Sequence, residues 1–260
     1  MLTRNLFEFF DNYVRSFEWR NSPFSGIQYP FVAVILYLLI IWALHRYMKD
    51  RPPLKLKRVT AFHNIVLCLL SLVMCVGTIV ELILRVKDLG FFSVVCDREH
   101  KAMRGRLLFW MYLFYCSKYY ELFDTVIMVL KKRPLNFLHV YHHCVVMPLF
   151  WVYMQTAMVI HWILVVANSL VHVFMYYYYA LSSFGKTVWW KKYITQAQIV
   201  QFVIDLTATW PFPFLYFSRG GCSGSLRAWL FGQLVGASFY KLFMDFYRNS
   251  YRKQEEKKKE

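Results

Sequence analysis

Features typical of a soluble metal-binding or nucleic-acid-binding protein are scarce in this sequence. The six cysteines include no CxxC pair, which argues against a zinc ribbon and against a thiol redox motif. Acidic residues are few, 15 against 31 Lys and Arg, but the basic residues lie between apolar segments and in the tail, so we expect no nucleic acid partner. Residues 7–26 lack the basic start and apolar run of a cleaved signal, so we expect the first apolar helix to remain as an anchor.

Apolar side chains, by contrast, make up 58% of the chain and aromatic side chains 20%, more than one water-soluble core of this size contains. A hydrocarbon core about 30 Å thick is crossed by roughly 20 mostly apolar residues in a helix. Seven membrane-spanning helices are predicted, at residues 31–44, 61–84, 107–130, 137–156, 160–184, 193–217 and 226–247. The period-two alternation of barrel strands is missing, so the predicted fold class is an all-α membrane protein. Pro211 and Pro213 predict a kink or a helix end within the sixth span.

Seven spans place the two termini on opposite sides of the membrane, and the Lys and Arg content of the connectors predicts which side is which. More basic residues lie on the side of the C-terminal tail, so we expect a lumenal segment at 1–27, a seven-helix catalytic domain at 28–247 and a basic cytosolic tail at 248–260. The connector 85–106 disagrees with this orientation, because it holds six basic residues on the predicted lumenal side. Near the end of the chain, Lys257 and Lys258 resemble a dilysine address for the endoplasmic reticulum membrane.

The same topology puts Cys96 and Cys222 in two lumenal connectors, where an oxidising compartment permits a disulfide. Such a bond would join the connector after the second span to the connector before the seventh. Two free thiols are the alternative that the sequence leaves open.

Polar side chains occur inside the third predicted span, where they are costly unless they face an internal cavity. Lys118, Glu121, Asp124 and Thr125 fall within roughly 120° on one helix face. Lys118 and Glu121, three residues apart, can pair, and Asp124 can accept a hydrogen bond from an imidazole. An internal ion pair that only holds helices together is the competing interpretation for Lys118 and Glu121.

The fourth span begins with a cluster of imidazoles, His139, His142 and His143, whose spacing of three and four puts His139 beside the other two. A lone histidine on an apolar face is usually a core residue, but a triple cluster at the edge of a span favours function. A second polar stripe follows on the fifth span, formed by Asn168, His172, Tyr176 and Tyr179.

The last two spans carry amides and a carboxylate. Gln198, Gln201 and Asp205 lie on one face of the sixth span, and Gln233 lies in the seventh. For the glutamines, hydrogen bonds between helices are a slightly better interpretation than direct chemistry.

Clustered membrane histidines serve either metal-dependent oxygen activation or acyl and proton transfer by imidazole itself. A membrane di-iron desaturase needs several histidine boxes to surround two irons, whereas this chain has one triple box joined by His172. We therefore expect no metal, and a desaturase-like oxidase remains the minor alternative. A seven-helix transporter or receptor is the other alternative, because the same polar walls would line a ligand path.

Four motifs occur in a fixed order: Lys118-x-x-Glu121-x-x-Asp124-Thr125, His139-x-x-His142-His143, His172-x-x-Met175-Tyr176-x-Tyr178-Tyr179 and Thr195-Gln196-x-Gln198. In these motifs the chain closely resembles the fatty acid elongases of the endoplasmic reticulum, over about residues 30 to 250. The resemblance implies 3-oxoacyl-CoA synthase activity, in which a long-chain acyl-CoA and malonyl-CoA give a 3-oxoacyl-CoA two carbons longer, with release of CO2 and CoA. It implies no cofactor besides these co-substrates.

The resemblance also implies that spans two to seven form a closed helical barrel around an acyl tunnel within the membrane lipid. The partner enzymes it implies are a ketoacyl-CoA reductase, a dehydratase and an enoyl reductase, and the oligomeric state is left open, a homodimer being one option. Bulky residues such as Phe150, Trp151, Trp210 and Phe214 are expected to shape the tunnel.

The resemblance makes His142 the first choice as nucleophile, with His139 or Asp124 setting its reactive tautomer. The donors expected to stabilise an enolate are His172, Asn168, His143 and Tyr176. The candidates for substrate binding, including the phosphates of CoA, are Lys118, Glu121, Tyr176, Tyr179, Gln198, Lys131, Lys132, Arg133 and Lys186.

Overall fold

The secondary structure of the protein is helical. A computed structural model describes residues 8, 11–99, 101 and 103–252, and no residue in this part of the chain forms a strand. The helices, numbered in chain order, are α1 (Gln28–Met48), α2 (Lys57–Leu89), α3 (Phe92–Val95), α4 (Gly105–Tyr120), α5 (Leu122–Leu130), α6 (Phe137–Gln155), α7 (His161–Ser183), α8 (Lys191–Thr209), α9 (Phe212–Ser218) and α10 (Leu226–Tyr247). The predicted all-α class is confirmed for the described residues, and the dilysine-like end at Lys257 and Lys258 lies outside them.

Four of these helices, α1, α2, α6 and α7, are long and apolar enough to cross a membrane. At 1.5 Å per residue, the 33 residues of α2 extend about 50 Å, more than a hydrocarbon core about 30 Å thick. Most side chains of α1 are exposed, among them Phe31, Ile35, Leu39 and Trp42. Apolar exposure on this scale is stable in lipid and unstable in water, so the protein is a membrane protein.

The third predicted span is divided. The sequence predicts one continuous helix over 107–130, whereas α4 and α5 are separated at Glu121. Just before the division, Ser117 Oγ donates to the carbonyl of Phe114 at 2.8 Å, a bond of the kind that bends helices. Sequence periodicity does not reveal this interruption because every residue there is compatible with a helix.

The sixth predicted span is also divided, as its prolines predict. Helix α8 ends at Thr209, and α9 begins at Phe212 with Pro211 as its N-cap residue. Proline has no backbone N–H and cannot continue a helix, so the predicted helix end is confirmed. Helices α8 and α10 are long enough to span, with 19 and 22 residues, but their amide and charged side chains lower their mean hydropathy.

The helices pack in a regular order. Helix α2 contacts α4 and α7, α7 contacts α8, α8 contacts α10, α10 contacts α6, and α6 contacts α4, while α1 contacts α5 and α6. Helices α2 and α7 approach closely and run antiparallel, because Cys68 Sγ lies 3.4 Å from the carbonyl of Val173 and Cys75 Sγ lies 3.9 Å from that of Val166. Small side chains at such contacts let two membrane helices come together.

The segment before α1 packs against one end of the helices. Trp19 Nε1 donates to Gln155 Oε1 at 3.0 Å, at the C-terminal end of α6. Tyr115 and Trp151 donate to the carbonyls of Phe24 and Ser25. The described residues of the predicted segment 1–27 therefore cover this end of the molecule.

Connectors at the same end are joined covalently. Cys96 and Cys222, for which the sequence permits a disulfide and leaves two free thiols open, form a disulfide across 126 residues of chain. Ser223 reinforces it, because its N–H donates to the carbonyl of Cys96 at 2.8 Å and its Oγ to that of Ala157 at 2.9 Å. Three connectors are thereby held together: those after α2, α6 and α9.

Candidate active site

A buried ion pair lies where α4 gives way to α5. Lys118 Nζ donates to Glu121 Oε1 at 2.8 Å, and the two side chains are 1% and 2% exposed. Lys118 also donates to Asn168 Oδ1 at 2.9 Å, which connects α4 with α7. Ser117 Oγ donates to Glu121 Oε1 at 3.2 Å. The pairing of Lys118 with Glu121 expected from the sequence is present, and each charged group has several polar neighbours, as buried charges require.

Two imidazoles adjoin this pair. One ligand atom from each of Glu121, His142 and His172 lies within 4.8 Å of the other two. His172 Nδ1 is 3.6 Å from Glu121 Oε1, longer than a hydrogen bond. The Nδ1 atoms of His142 and His172 are both buried and have no hydrogen-bond partner among the residues that the structure describes. Unpartnered buried polar atoms are rare in native proteins, so these nitrogens are suited to a ligand.

The same three side chains could contact a metal ion, as far as distance is concerned. However, the carboxylate of Glu121 is already paired with the ammonium group of Lys118. A metal ion at this carboxylate would be repelled by the positive charge of the Lys118 ammonium group. The group therefore fits a metal poorly.

A second polar network surrounds Asp124. His63 Nε2 lies 2.8 Å from Asp124 Oδ1, and the hydroxyl of Tyr176 donates to Asp124 Oδ2 at 2.7 Å. The imidazole that contacts Asp124 is that of His63 in α2, a residue that the sequence motifs above do not include. His63 and Asn64 are adjacent polar residues in an otherwise apolar stretch, which indicates a polar site there but not its partner.

The histidines of the triple cluster contact different helices: His139 contacts α5 and His142 contacts α10. His139 Nε2 lies 2.8 Å from Thr125 Oγ1, and the His139 and His143 rings are 4.7 Å apart. Thr125 is also bonded to the hydroxyl of Tyr37 from α1, at 2.9 Å. His142 instead packs against α10. Within the described part of the chain, no hydrogen bond joins His142 to either His139 or Asp124, the two residues expected to set its tautomer.

A cavity begins beside His142 and extends along α6. Three polar residues line it beside the buried ion pair: Lys118, His142 and Asn168. Its wall is apolar and consists of Val146, Leu149, Phe150, Leu164, Phe202, Leu206, Val235 and Phe239. At the other end lie Tyr153, Gln201, Asp205, Thr209 and Gln233. Eleven residues of α6 separate His142 from Tyr153, about 16 Å at 1.5 Å per residue.

Of the four bulky residues expected to shape a tunnel, only Phe150 lines this cavity. Trp210 and Phe214 are 66% and 74% exposed, so the expectation is wrong for them. Trp151 is occupied by its hydrogen bond to the carbonyl of Ser25. Aromatic residues near a helix end often face lipid, and the sequence cannot distinguish the two faces there.

The remaining substrate-binding candidates lie outside the cavity lining. Tyr179 is 41% exposed, and Gln198 Nε2 lies 3.6 Å from Met175 Sδ. Lys131 donates to Thr60 Oγ1 at 3.4 Å. Lys132 donates to the carbonyl of Lys49 at 3.0 Å. Arg133 and Lys186 are exposed. Burial lowers the pKa of Lys131, which lies just beyond the end of α5.

Comparison with known proteins shows to which family the chain is related. Residues 22–259 match the family model described as ELO, the GNS1/SUR4 family. The chain is 37% identical to fatty acid elongase sre1 of Dictyostelium discoideum over 254 residues, covering 96% of this chain and 94% of that protein. It is 37% identical to fatty acid elongase A of the same organism over 252 residues, covering 94% and 91%.

A mammalian relative has the same assignment. The chain is 36% identical to very long chain fatty acid elongase 2 of Mus musculus over 245 residues, covering 88% of this chain and 81% of the mouse protein. With a family model matched over nearly the whole chain, the protein belongs to the ELO, or GNS1/SUR4, family of fatty acid elongases.

Proposed function

We propose that this enzyme of fatty acid elongation is a 3-oxoacyl-CoA synthase, which condenses a long-chain acyl-CoA with malonyl-CoA and releases CO2 and CoA. The observation that carries the proposal is the group formed by Glu121, His142 and His172, whose ligand atoms lie within 4.8 Å of one another. His142 and its neighbour Asn168 also line a cavity with a long apolar wall. Acyl transfer by imidazole requires this combination of a nucleophilic nitrogen and a water-poor channel.

The first step would be attack by a neutral nitrogen of His142 on the acyl thioester. A bond forms from that nitrogen to the acyl carbon, the carbon–sulfur bond breaks, and the CoA thiolate takes up the proton that the other ring nitrogen of His142 releases. The product is a neutral acyl-imidazole. His142 is suited to this step because, among the described residues, its Nδ1 has no hydrogen-bond partner and the ring adjoins the cavity.

In the second step malonyl-CoA would lose CO2, and the resulting enolate would attack the acyl-imidazole carbonyl. The new carbon–carbon bond replaces the carbon–nitrogen bond to His142, and the imidazolate that leaves takes up one proton from solvent to restore the neutral ring. Donors fixed near the developing oxygen charge would lower this barrier. Asn168 and His172 are the best placed of the predicted donors, because the hydroxyl of Tyr176 is already donated to Asp124.

The architecture that we propose for this chemistry is a barrel of spans two to seven. It is supported by the packing order, which runs from α2 through α7, α8, α10, α6 and α4 and then returns to α2. Helix α1, the first span, would stand outside the barrel. The acyl chain would lie in the cavity, with CoA at the His142 end near the basic connectors.

The proposed location is the endoplasmic reticulum membrane, with the N-terminus lumenal and the C-terminus cytosolic. The disulfide and the covering segment before α1 lie together at the end predicted to be lumenal, which agrees with an oxidising compartment. Reduction and dehydration of the product would require the three partner enzymes named above.

The test uses the full-length protein in membranes from a host that lacks endogenous elongases. With acyl-CoA and radiolabelled malonyl-CoA, we expect a 3-oxoacyl-CoA two carbons longer, lost in His142→Gln but kept in His45→Gln, an exposed histidine of α1. With acyl-CoA alone, we expect CoA release and an acyl mass adduct on the protein that require His142.

Two results would contradict the proposal. Absence of elongated product for all chain lengths would favour a transporter or receptor. Activity that disappears with strong chelation and returns with iron would favour the metal-dependent alternative.

A further inference from the structure

The end of the cavity opposite His142 is polar, although the cavity wall is apolar. The polar side chains there, named the distal polar cluster, are Tyr153, Gln201, Asp205, Thr209 and Gln233. Gln233 Nε2 donates to Thr209 Oγ1 at 2.7 Å, and Gln201 Nε2 donates to Asp205 Oδ2 at 3.1 Å. Thr209 Oγ1 donates to the carbonyl of Asp205 at 2.5 Å. The bond of Gln233 joins α10 to α8, as the interpretation of hydrogen bonds between helices expects, whereas the bond of Gln201 lies within α8.

One atom of the cluster remains unsatisfied. Asp205 Oδ1 is buried without a hydrogen-bond partner in the described structure, and the whole side chain is only 9% exposed. A buried carboxyl oxygen without a donor costs free energy on the scale of a lost hydrogen bond. Because this carboxyl lines the cavity, a bound molecule can supply the missing donor.

An unmodified hydrocarbon chain cannot be that donor. A saturated acyl chain attached at His142 and extended along α6 would bring methylene groups against the distal polar cluster, about 16 Å away by helix rise. Methylene groups would exclude water from Asp205 and leave its oxygen unpaired. A hydroxyl group on the chain would instead donate one hydrogen bond and accept others, for which Tyr153 and Gln233 are nearby.

We propose that the distal polar cluster binds a hydroxyl group carried on the distal part of the acyl chain, so that the substrates of this enzyme include hydroxy fatty acyl-CoA esters. The proposal rests on the condensation activity proposed above. It adds to that activity a site of chemical recognition within the cavity, with Asp205 as the residue that determines specificity.

The test compares acyl-CoA substrates of one length with the wild-type protein in membranes. The panel contains the saturated acyl-CoA and isomers that carry one hydroxyl at successive distal carbons. We expect one position, or two adjacent positions, to raise kcat/KM about fivefold above the saturated substrate, as expected for one additional hydrogen bond. Equal or lower values for every hydroxylated isomer would overturn the proposal.

Variants then locate the preference. Asp205→Leu should bring the ratio of kcat/KM for the hydroxylated and saturated substrates down to about one. Asp205→Asn, which keeps the shape and an acceptor oxygen, should keep part of the preference. Thr207→Val is the matched control on the exposed side of α8 and should leave the preference unchanged. A preference that survives in Asp205→Leu would overturn the assignment to Asp205.

The two proposals fail in different ways. If the wild-type protein elongates no acyl-CoA, the condensation activity itself is wrong. If it elongates saturated chains but shows no hydroxyl preference, only the role of the distal polar cluster is wrong.

Discussion

Replacing Lys118 by Met should destabilise the protein strongly, because it leaves the carboxylate of Glu121 buried without its main partner. Glu121→Gln should do the same to the ammonium group of Lys118. Their 2.8 Å contact and exposures of 1% and 2% place the pair among fully buried ion pairs. Removal of one member of such a pair costs about 3–5 kcal/mol.

The double variant Lys118→Met and Glu121→Gln should lose less stability than the sum of the single variants. It removes both charges, so that neither is left unpaired, and we expect a coupling of roughly 1–3 kcal/mol between the two sites. The assay is thermal unfolding of the purified protein in detergent, followed by loss of soluble monomer. At roughly 2–4 °C per kcal/mol for a chain of this size, each single variant should melt on the order of 10 °C lower.

Turnover measured on the same variants separates scaffolding from chemistry. Glu121 lies within reach of His142 and His172, so we expect the double variant to regain stability without regaining turnover. Strictly additive losses of stability would refute the reasoning that the two charges compensate each other. If a folded double variant keeps full turnover, the ion pair only holds the helices together and takes no part in the chemistry.

Three further predictions concern other parts of the molecule. Cys96→Ser, which opens the bond to Cys222, should lower stability by about 2–5 kcal/mol, measured as a lower melting temperature, and should expose one thiol to a maleimide. Gly232→Ala should reduce elongation of the longest acyl-CoA substrates most, since its Cβ would lie 1.8 Å from the hydroxyl of Tyr153 and the rigid ring would be pushed into the cavity. Hydrogen bonds from two arginines hold the pKa of Asp11 below its usual range, so docking of the N-terminal segment should weaken as pH falls through that lowered pKa, measured by hydrogen exchange of residues 11–26.

Each of these three predictions has a control experiment. Dithiothreitol should lower the melting temperature of the wild type but not of Cys96→Ser. Gly236→Ala should change product lengths less than Gly232→Ala, because its Cβ would meet the flexible end of Leu206 at 3.0 Å. Asp11→Asn should remove the acid sensitivity of the exchange, and an unchanged pH response in that variant would contradict the assignment.

The sequence predicts the helical elements well because lipid imposes simple rules on composition. Long apolar runs predict α1, α2, α6 and α7, and the proline pair predicts the end of α8. The division at Glu121 is not predictable in this way, because every residue around it is compatible with a helix and only the folded structure shows the interruption.

The candidate active site is likewise only partly predictable from the sequence. Polar residues inside spans indicate where a cavity lies, which is why Lys118, His142 and Asn168 are found together. Which partner each residue takes depends on contacts between helices distant in sequence. His63 and Asp124 are 61 residues apart. The local sequence around His63 does not indicate that it, and not a histidine of the triple cluster, contacts Asp124.

The hydrogen bond between Trp19 and Gln155 imposes an order on biosynthesis. The two residues are 136 positions apart, and a ribosome adding roughly 5–20 residues per second takes on the order of ten seconds to cover that distance. During this delay the indole of Trp19 has emerged from the ribosome but its partner has not yet been made. Trp19 therefore cannot reach its final position until α6 has been synthesised.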